Sequence, residues 1–420
     1  MQRPRRLRVV VAAFGDAGHA FPAIALAREL DRRGSEVLVE SWEEWAEAIE
    51  GEGLRFQAAQ EYMVFPPPGP ETPQGQIVAG AARALAELME EFRPDLVVSD
   101  ILTRAPALAA EVAGVPQATL IPHVFPVQEP GQPVYSLGFR PARTPLGRAG
   151  WRATMPVLEG GLRQGRGELN RTRERLGLPP QERLHGGISE LLALVATYPQ
   201  LEFPRRWPPH VKVCGPLFFE PPSDPVPVPD GDGPLVLVAP STAQDPELRL
   251  LRAALEGLAE MPVRVLATTN RRTSEHRADR PEPEPLEVPP NATVLDWLPH
   301  SQAMSAADLV ISHGGHGTVA RALQAGAPLL VCPDVGDMAE NGARVAWAGA
   351  GLSLPRRLVS PRGIRVAAKR ILAEPRFRDR AEEISLWSRA NDGAERAADL
   401  VEDAARNATS RRSPARNSVP

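Results

Sequence analysis

A chain of 420 residues is longer than one hydrophobic core usually serves, and 43% hydrophobic residues supply enough apolar material for two. A formal net charge of -4 argues against a general affinity for nucleic acid. Arginine carries nearly all the positive charge, Lys212 and Lys369 being the only lysines, which reads as codon bias and not as a phosphate-binding surface.

The N-terminus mimics a secretory signal, because Arg3, Arg5, Arg6 and Arg8 accompany the apolar run Leu7 to Phe14. Asp16 and His19 end that run at about seven residues, the short limit for a signal core, and no other stretch approaches the roughly 20 apolar residues that span a bilayer. The expectation is a cytoplasmic protein, monomeric or homodimeric. Cys214 and Cys332 lie in apolar, strand-like runs and read as buried free thiols, in keeping with a reducing compartment. Asn291-Ala292-Thr293 and Asn407-Ala408-Thr409 fit the N-glycosylation pattern by chance in that setting.

In chain order, Leu7 to Phe14 reads as a buried strand. Pro22 to Arg33 is a helix with Ile24, Leu26, Ala27 and Leu30 on its apolar side, and Glu36 to Glu40 is a second strand after Gly34, a βαβ beginning. A helix from Ile77 to Phe92, a strand from Leu96 to Ser99, a helix from Ala105 to Ala113 and a strand from Gln117 to Ile121 repeat the alternation, giving five to seven parallel strands. Proline clusters from Pro122 to Pro156, where regular structure is not expected, and a strand follows at Ala193 to Thr197.

The proline-rich segment Glu220 to Pro234 lacks backbone donors and reads as an extended link. Beyond it come a strand at Leu235 to Ala239, a helix around Pro246 to Leu258, and strands at Val263 to Ala267 and Thr293 to Leu295. Helices around Arg378 to Arg389 and Ala394 to Ala405 close the alternation, and the arginine-, serine- and proline-rich tail from Asn407 to Pro420 should be mobile. The fold class is α/β: two doubly wound, Rossmann-like domains over residues 1–220 and 235–390, joined by a link at 221–234. A last helix at 391–406 and a tail at 407–420 follow. Ligands of such sheets bind outside the carboxyl ends of the strands.

The most informative run is His313-Gly314-Gly315-His316-Gly317-Thr318, which follows the apolar stretch Ala307 to Ser312 and opens into a helical pattern at Val319 to Gly326. Glycines let backbone N–H groups approach a ligand, and a helix start adds unpaired amides and a positive dipole end. It reads as an anion seat, with phosphate the expected guest. His313 and His316 lack a third ligand at a standard zinc spacing, so no metal is expected.

After the first strand, Gly15-Asp16-Ala17-Gly18-His19 places a histidine where a cleft residue belongs. Its unperturbed pKa of about 6.5 suits a general base. Asp100 stands at the end of a later strand and can hold the imidazole in one tautomer, as in a catalytic triad, or merely cap the next helix. The Gly15 turn is not the G-x-G-x-x-G of dinucleotide enzymes, so a nicotinamide dehydrogenase is poorly supported.

Taken together with Val294 to His300 and with Gly336-Asp337-Met338-Ala339-Glu340-Asn341, the order and spacing of these segments resemble the donor-binding signature of nucleotide-sugar-dependent glycosyltransferases of the GT-B fold. That family includes bacterial natural-product (macrolide-type) and plant enzymes. The resemblance implies that Trp297 stacks on the nucleobase with His300 near its edge. His313, Gly315, His316, Gly317 and Thr318 would hold the diphosphate with Ser241 and Thr242, and Asp337 and Met338 would meet the sugar. It also implies that His19 is the base, that Asp100 orients it, and that the last helix crosses back to the first domain.

Two positions depart from the pattern. Arg321 stands where plant members carry a glutamate for the ribose, and is expected either to pair with a phosphate or, the favoured reading, to point to solvent; Met338 stands where they carry a glutamine that contacts the sugar. The co-substrate would be a UDP or dTDP sugar, with no further cofactor. For the acceptor, Phe21, His123 and Phe125 are the candidate contacts. The stretch from Pro122 to Arg175, with Tyr135, Phe139, Trp151 and many arginines, reads as a basic-rimmed pocket, a peripheral membrane patch for a lipid-linked acceptor, or solvated arginines over a short helix. A nucleotide-sugar epimerase and a non-catalytic nucleotide-sugar-binding protein are the alternative functions.

Overall fold

The computed structural model describes residues 6–60, 74–223, 226–240, 245, 247–269, 285–334 and 336–412. Ser241 and Thr242 lie outside the described residues. The first strand, β1 (Arg8–Ala12), is buried on both faces, as its uninterrupted valines require of a central parallel strand. Val9 and Val11 pack with Ile24, Leu26 and Leu30 of helix α1 (Ala17–Arg32), whereas Val10 packs on the opposite face with Val97 and Leu108. This two-residue period builds a layer of helices on each side of the sheet.

The elements that follow are β2 (Glu36–Ser41), α2 (Ala46–Gly51), β3 (Arg55–Ala58), α3 (Gln74–Phe92), β4 (Leu96–Asp100), α4 (Ala105–Val112) and β5 (Gln117–Ile121). Next come α5 (Pro145–Ala153), α6 (Met155–Arg175), β6 (Ala193–Val195) and β7 (Val211–Val213). All seven strands form one parallel sheet in the order β3-β2-β1-β4-β5-β6-β7. Chain order therefore reverses between β1 and β4, which pair from Val9 and Leu96 to Ala12 and Ser99. A crevice opens at such a switch point, because the connections leave the two strands toward opposite faces.

The second sheet repeats the device. Strands β8 (Leu235–Ala239), β9 (Arg264–Thr268), β10 (Ala292–Leu295), β11 (Leu309–Ser312), β12 (Leu329–Val331) and β13 (Gly351–Ser353) stand in the order β10-β9-β8-β11-β12-β13, with the reversal between β8 and β11. Val236 and Val238 pack on one side with α7 (Arg249–Leu258) and α11 (Pro361–Ala373). Leu235 and Leu237 pack on the other with α9 (His316–Gln324) and α12 (Pro375–Ala390). Helices α8 (His300–Ser305) and α10 (Asp337–Ala348) complete this half.

Four expectations need correction. Helix α1 starts at Ala17, five residues before Pro22, with the His19 and Ala20 N–H groups both donating to the Asp16 carbonyl at 2.8 and 2.9 Å. His19 thus sits inside the first turn and not in a preceding loop. The proline-rich stretch is irregular only at first: Thr144 caps α5 by accepting from Gly147 N at 3.1 Å, and Pro145 and Pro156 occupy opening positions where a missing N–H costs nothing. Edge strands β3 and β7 are too short to carry a periodic signal. Finally, α13 (Gly393–Arg412) carries helix six residues into the expected mobile tail.

Helix α13 returns to the first sheet, where Ala397, Ala398, Val401 and Ala405 join the core beneath α1, and Arg33 pairs with Asp399. None of the described helices is long and apolar enough to cross a membrane. The halves are also tied by buried charge. Arg344 of α10 meets Glu340 at 2.8 Å, Glu202 of the first half at 2.8 Å and the Leu201 carbonyl at 3.0 Å, and its guanidinium lies 4.2 Å from the Phe203 ring centre. Removing one partner leaves a buried charge without compensation. Arg344→Ala should therefore cost about 3–5 kcal/mol in denaturant unfolding, and replacing Arg344, Glu202 and Glu340 together by methionine should cost less than that single change.

Candidate active site

Strand β1 hands the chain to Gly15, whose place is dictated by two indoles. A Cβ there would lie 1.9 Å from the Trp42 ring, and Trp45 Nε1 donates to the Gly15 carbonyl at 2.6 Å. The tight turn delivers His19 beside the end of β4, edge-on to Phe14 with ring centres 6.1 Å apart. His19 Nδ1 is 2.7 Å from Asp100 Oδ2, and Asp100, fully buried, accepts from Leu102 N at 2.8 Å with its other oxygen. A carboxylate can only accept here, so Nδ1 carries the proton and Nε2 keeps a lone pair. Burial lowers the His19 pKa, but the charge and hydrogen bond of Asp100 outweigh it, with Asp16 and Asp337 adding, and the net shift is upward from 6.5.

His123, just past β5, stands 6.1 Å from His19 between ring centres and donates from Nδ1 to the Val124 carbonyl at 2.7 Å. Burial and the neighbouring His19 push its pKa down. Tyr135 lies beside it, its hydroxyl 3.5 Å from His123 Nδ1. Phe21 is partly buried against Trp45 and Phe219. Phe125 does not reach the cleft: it is 3% exposed, with the Arg205 guanidinium 4.6 Å from its ring centre.

In the second half, β11 runs into a loop built around close approaches. Gly314 has φ +93°, and a Cβ on it would lie 2.6 Å from Val331 and 3.0 Å from the Met338 carbonyl. Gly315 is the N-cap of α9, and a Cβ there would lie 2.6 Å from His313 Nε2. No side chain caps α9, so its first amides have no intrahelical acceptor and are turned toward the loop. His313 Nδ1 lies 3.4 Å from the Ala239 carbonyl, and burial pushes its pKa down. Gly317 and Thr318 continue the first turn.

Asp337 opens α10 after Gly336, whose φ of +71° favours glycine. Its charge acts on His19, His123, Tyr135 and His313, so it faces both halves. Met338 is buried beside Gly314. Trp297 is 37% exposed and is no core residue. His300 N donates to Glu220 at 2.9 Å, and burial with the charge of Arg321 brings the His300 ring down to about 4. Arg321 does not point to solvent: it donates to the Phe219 carbonyl and lies 5.3 Å from the Phe218 ring centre. Among the described residues, no three histidine, cysteine or carboxylate side chains gather as a metal site.

The starts of α1 and α9 face one another. A crevice of about 50 Å³ lies between Gly18, Phe21 and Pro22 of the first and His316, Gly317 and Arg321 of the second. A wider, open hollow of about 550 Å³ between β7 and α13 shares none of these residues. Sequence reasoning missed Asn341, which donates to the Gly314 carbonyl at 2.9 Å and accepts from His316 Nδ1 at 3.3 Å. Its only sequence signal was its place one helical turn after Asp337.

Residues 272–401 match the family described as erythromycin biosynthesis protein CIII-like, C-terminal domain. The chain is also 30% identical to 4'-demethylrebeccamycin synthase of Lentzea aerocolonigenes over 431 residues, covering 94% of this chain and 99% of that protein. It belongs to the natural-product glycosyltransferases. The GT-B fold agrees: the glycosyltransferase of kitacinnamycin superposes with a TM-score of 0.75 at 22% identity, over 96% of this chain and 100% of that one. The glycosyltransferase VinC, solved in complex with dTDP, gives 0.68 at 21% identity over 95% and 100%.

The crowding at Gly315 supplies a test of the loop. Gly315→Ala should weaken UDP and dTDP binding at least about tenfold in calorimetry, the equivalent of losing one or two charge-assisted hydrogen bonds. Thermal unfolding should change little. Unaltered affinity would remove the loop from the phosphate site.

Proposed function

We propose that this glycosyltransferase moves a hexose from a UDP or dTDP sugar to a hydroxyl of a small, apolar or lipid-like acceptor with inversion at the anomeric carbon. The hydrogen bond between His19 and Asp100, set opposite the uncapped start of α9, carries the reading. His19 Nε2 takes the acceptor's hydroxyl proton as that oxygen bonds to the anomeric carbon. The bond from that carbon to the diphosphate oxygen breaks on the opposite face, so one displacement inverts the centre. Asp100 stabilises the imidazolium that forms.

Negative charge grows on the leaving diphosphate, and fixed amides at a helix start favour that charge more in the transition state than in the ground state. In this reading His313 and Thr318 hold the diphosphate with those amides, Asp337 meets the sugar hydroxyls, and Trp297, which is exposed, stacks on the nucleobase with His300 near its edge. No step in this scheme draws on a metal. The dTDP complex of VinC supports a nucleoside diphosphate as one half of the donor. The two buried cysteines, both free, support a cytoplasmic setting.

For the acceptor, the relative named 4'-demethylrebeccamycin synthase supports a small natural product. Exposed apolar side chains on α5 and α6 support an apolar one. Leu146 and Val157 are 84% and 80% exposed on α5 and α6, near Arg148 and Arg152 in sequence, and Gly138 in the preceding loop touches Ala339 of α10. Phe21, His123 and Tyr135 would form the inner wall.

His19→Ala should lower kcat/KM by about 10²–10⁴-fold in nucleoside diphosphate release. Because only the neutral imidazole is a base, wild-type kcat/KM should fall as pH drops through the raised His19 pKa, above 6.5. Asp100→Asn removes the carboxylate that raises it, so the acid limb should move to lower pH while the rate falls. Undiminished turnover in His19→Ala would overturn the assignment.

A further inference from the structure

His316 opens α9 between the two halves, is 8% exposed, and its Nε2 is buried and makes no hydrogen bond of good geometry with the described residues. Its other nitrogen is fixed by geometry. The Asn341 amide must turn its NH₂ toward the Gly314 carbonyl, 2.9 Å away, because a carbonyl only accepts. Asn341 Oδ1 is therefore left facing His316 Nδ1 at 3.3 Å, and that nitrogen carries the hydrogen. The opposite tautomer would set two lone pairs against each other. Burial, with His123 adding, outweighs the hydrogen bond of Asn341 and a weaker one from the ring to the Ala196 backbone, and brings the imidazole down to about 4, so it is neutral at physiological pH.

A neutral ring with Nδ1 protonated offers only a lone pair at Nε2, and a lone pair repels phosphate oxygen. His316 borders the crevice of about 50 Å³ shared with Gly18, Phe21 and Arg321, which has room for a hydroxyl. We propose that His316 accepts a hydrogen bond from a substrate hydroxyl, with Asn341 as its positioning residue, and takes no part in holding the diphosphate. The inference rests on the transferase reading of this cleft and assigns within it a contact that discriminates hydroxylated substrates. An acceptor placed for a hydroxyl rejects the analogue lacking it, because the buried lone pair is then left unmatched.

The hydroxyl belongs either to the donor sugar or to the acceptor, and the arms of one experiment separate them. Binding of UDP, dTDP, UDP-glucose and dTDP-glucose is measured by calorimetry for wild type, His316→Leu and His316→Gln, together with acceptor KM and kcat. His316→Leu should leave UDP and dTDP affinity within about twofold, and should lower either sugar-nucleotide affinity or acceptor kcat/KM by about 10–100-fold. The first loss marks a donor hydroxyl and the second an acceptor hydroxyl, and His316→Gln, which keeps an acceptor atom, should recover part of it. Nitrogen NMR of histidine-labelled wild type should show the Nδ1-protonated neutral tautomer, independently of whether His316→Leu folds. Parallel loss of UDP or dTDP affinity, no loss in any arm, or the other tautomer would overturn the proposal. Absence of both sugar-nucleotide binding and turnover in wild type would instead refute the transferase reading.

Discussion

The arrangement depends on one hydrogen bond, His19 Nδ1 to Asp100 Oδ2, and that bond depends on β1 and β4 being neighbours. The two residues are separated by 81 positions, and only the strand reversal at β1 brings their carboxyl ends together. Parallel pairing sets the ends of both strands at one level, and the crowded Gly15 turn aims the first helix back across them. Asp100 is held on its other oxygen by Leu102 N, so the imidazole is oriented by a group that cannot itself swing away. Burial alone would have made His19 a weaker base than a free histidine; the aspartate reverses the sign of that effect.

The second sheet uses the same topology for a different chemistry. Its reversal, at β8 and β11, presents backbone amides and a helix start where the first sheet presents a hydrogen-bonded histidine and aspartate, with glycines where any side chain would collide with His313 or Val331. Two helix starts line one crevice: the first carries His19 against Asp100, and the second presents amides that no side chain caps. The connection between halves is not loose. Arg344, Glu202 and Glu340 bury charge across the interface, Tyr198 donates to the Ala320 carbonyl at 3.1 Å, and Arg321 reaches back to Phe219. Glu202 also accepts from Phe125 N at 2.7 Å, which links α10 directly to the loop that carries His123.

What was legible in the sequence follows from which forces act locally. Buried parallel strands announce themselves as runs such as Val9 to Val11 and Leu235 to Ala239, so the doubly wound alternation was readable, as were the strand ends at Asp100 and His313; His19 belongs to the first turn of α1 instead. Edge strands β3 and β7 were not, since three or four half-exposed residues carry no period. Pro145 and Pro156 read as breakers in the sequence because proline's meaning depends on whether it opens a helix or interrupts one, and Thr144 decides that only once its cap is formed. Long-range partnerships were hidden altogether. Arg321 looked like a surface residue until Phe219 came to lie beside it, Phe125 looked like a cleft residue until Arg205 covered it, and Asn341 shows its purpose only through Gly314 and His316.

The central claim is that a base in one half confronts the anomeric centre of a sugar whose diphosphate is seated by the other. A crystal structure of the protein with a UDP or dTDP sugar and a hydroxyl acceptor tests it most directly. The account predicts the diphosphate at the start of α9 and the acceptor oxygen within about 3.2 Å of His19 Nε2, on the face of the sugar away from the leaving group. An acceptor oxygen on the same face as the diphosphate, or a diphosphate bound elsewhere, would contradict it.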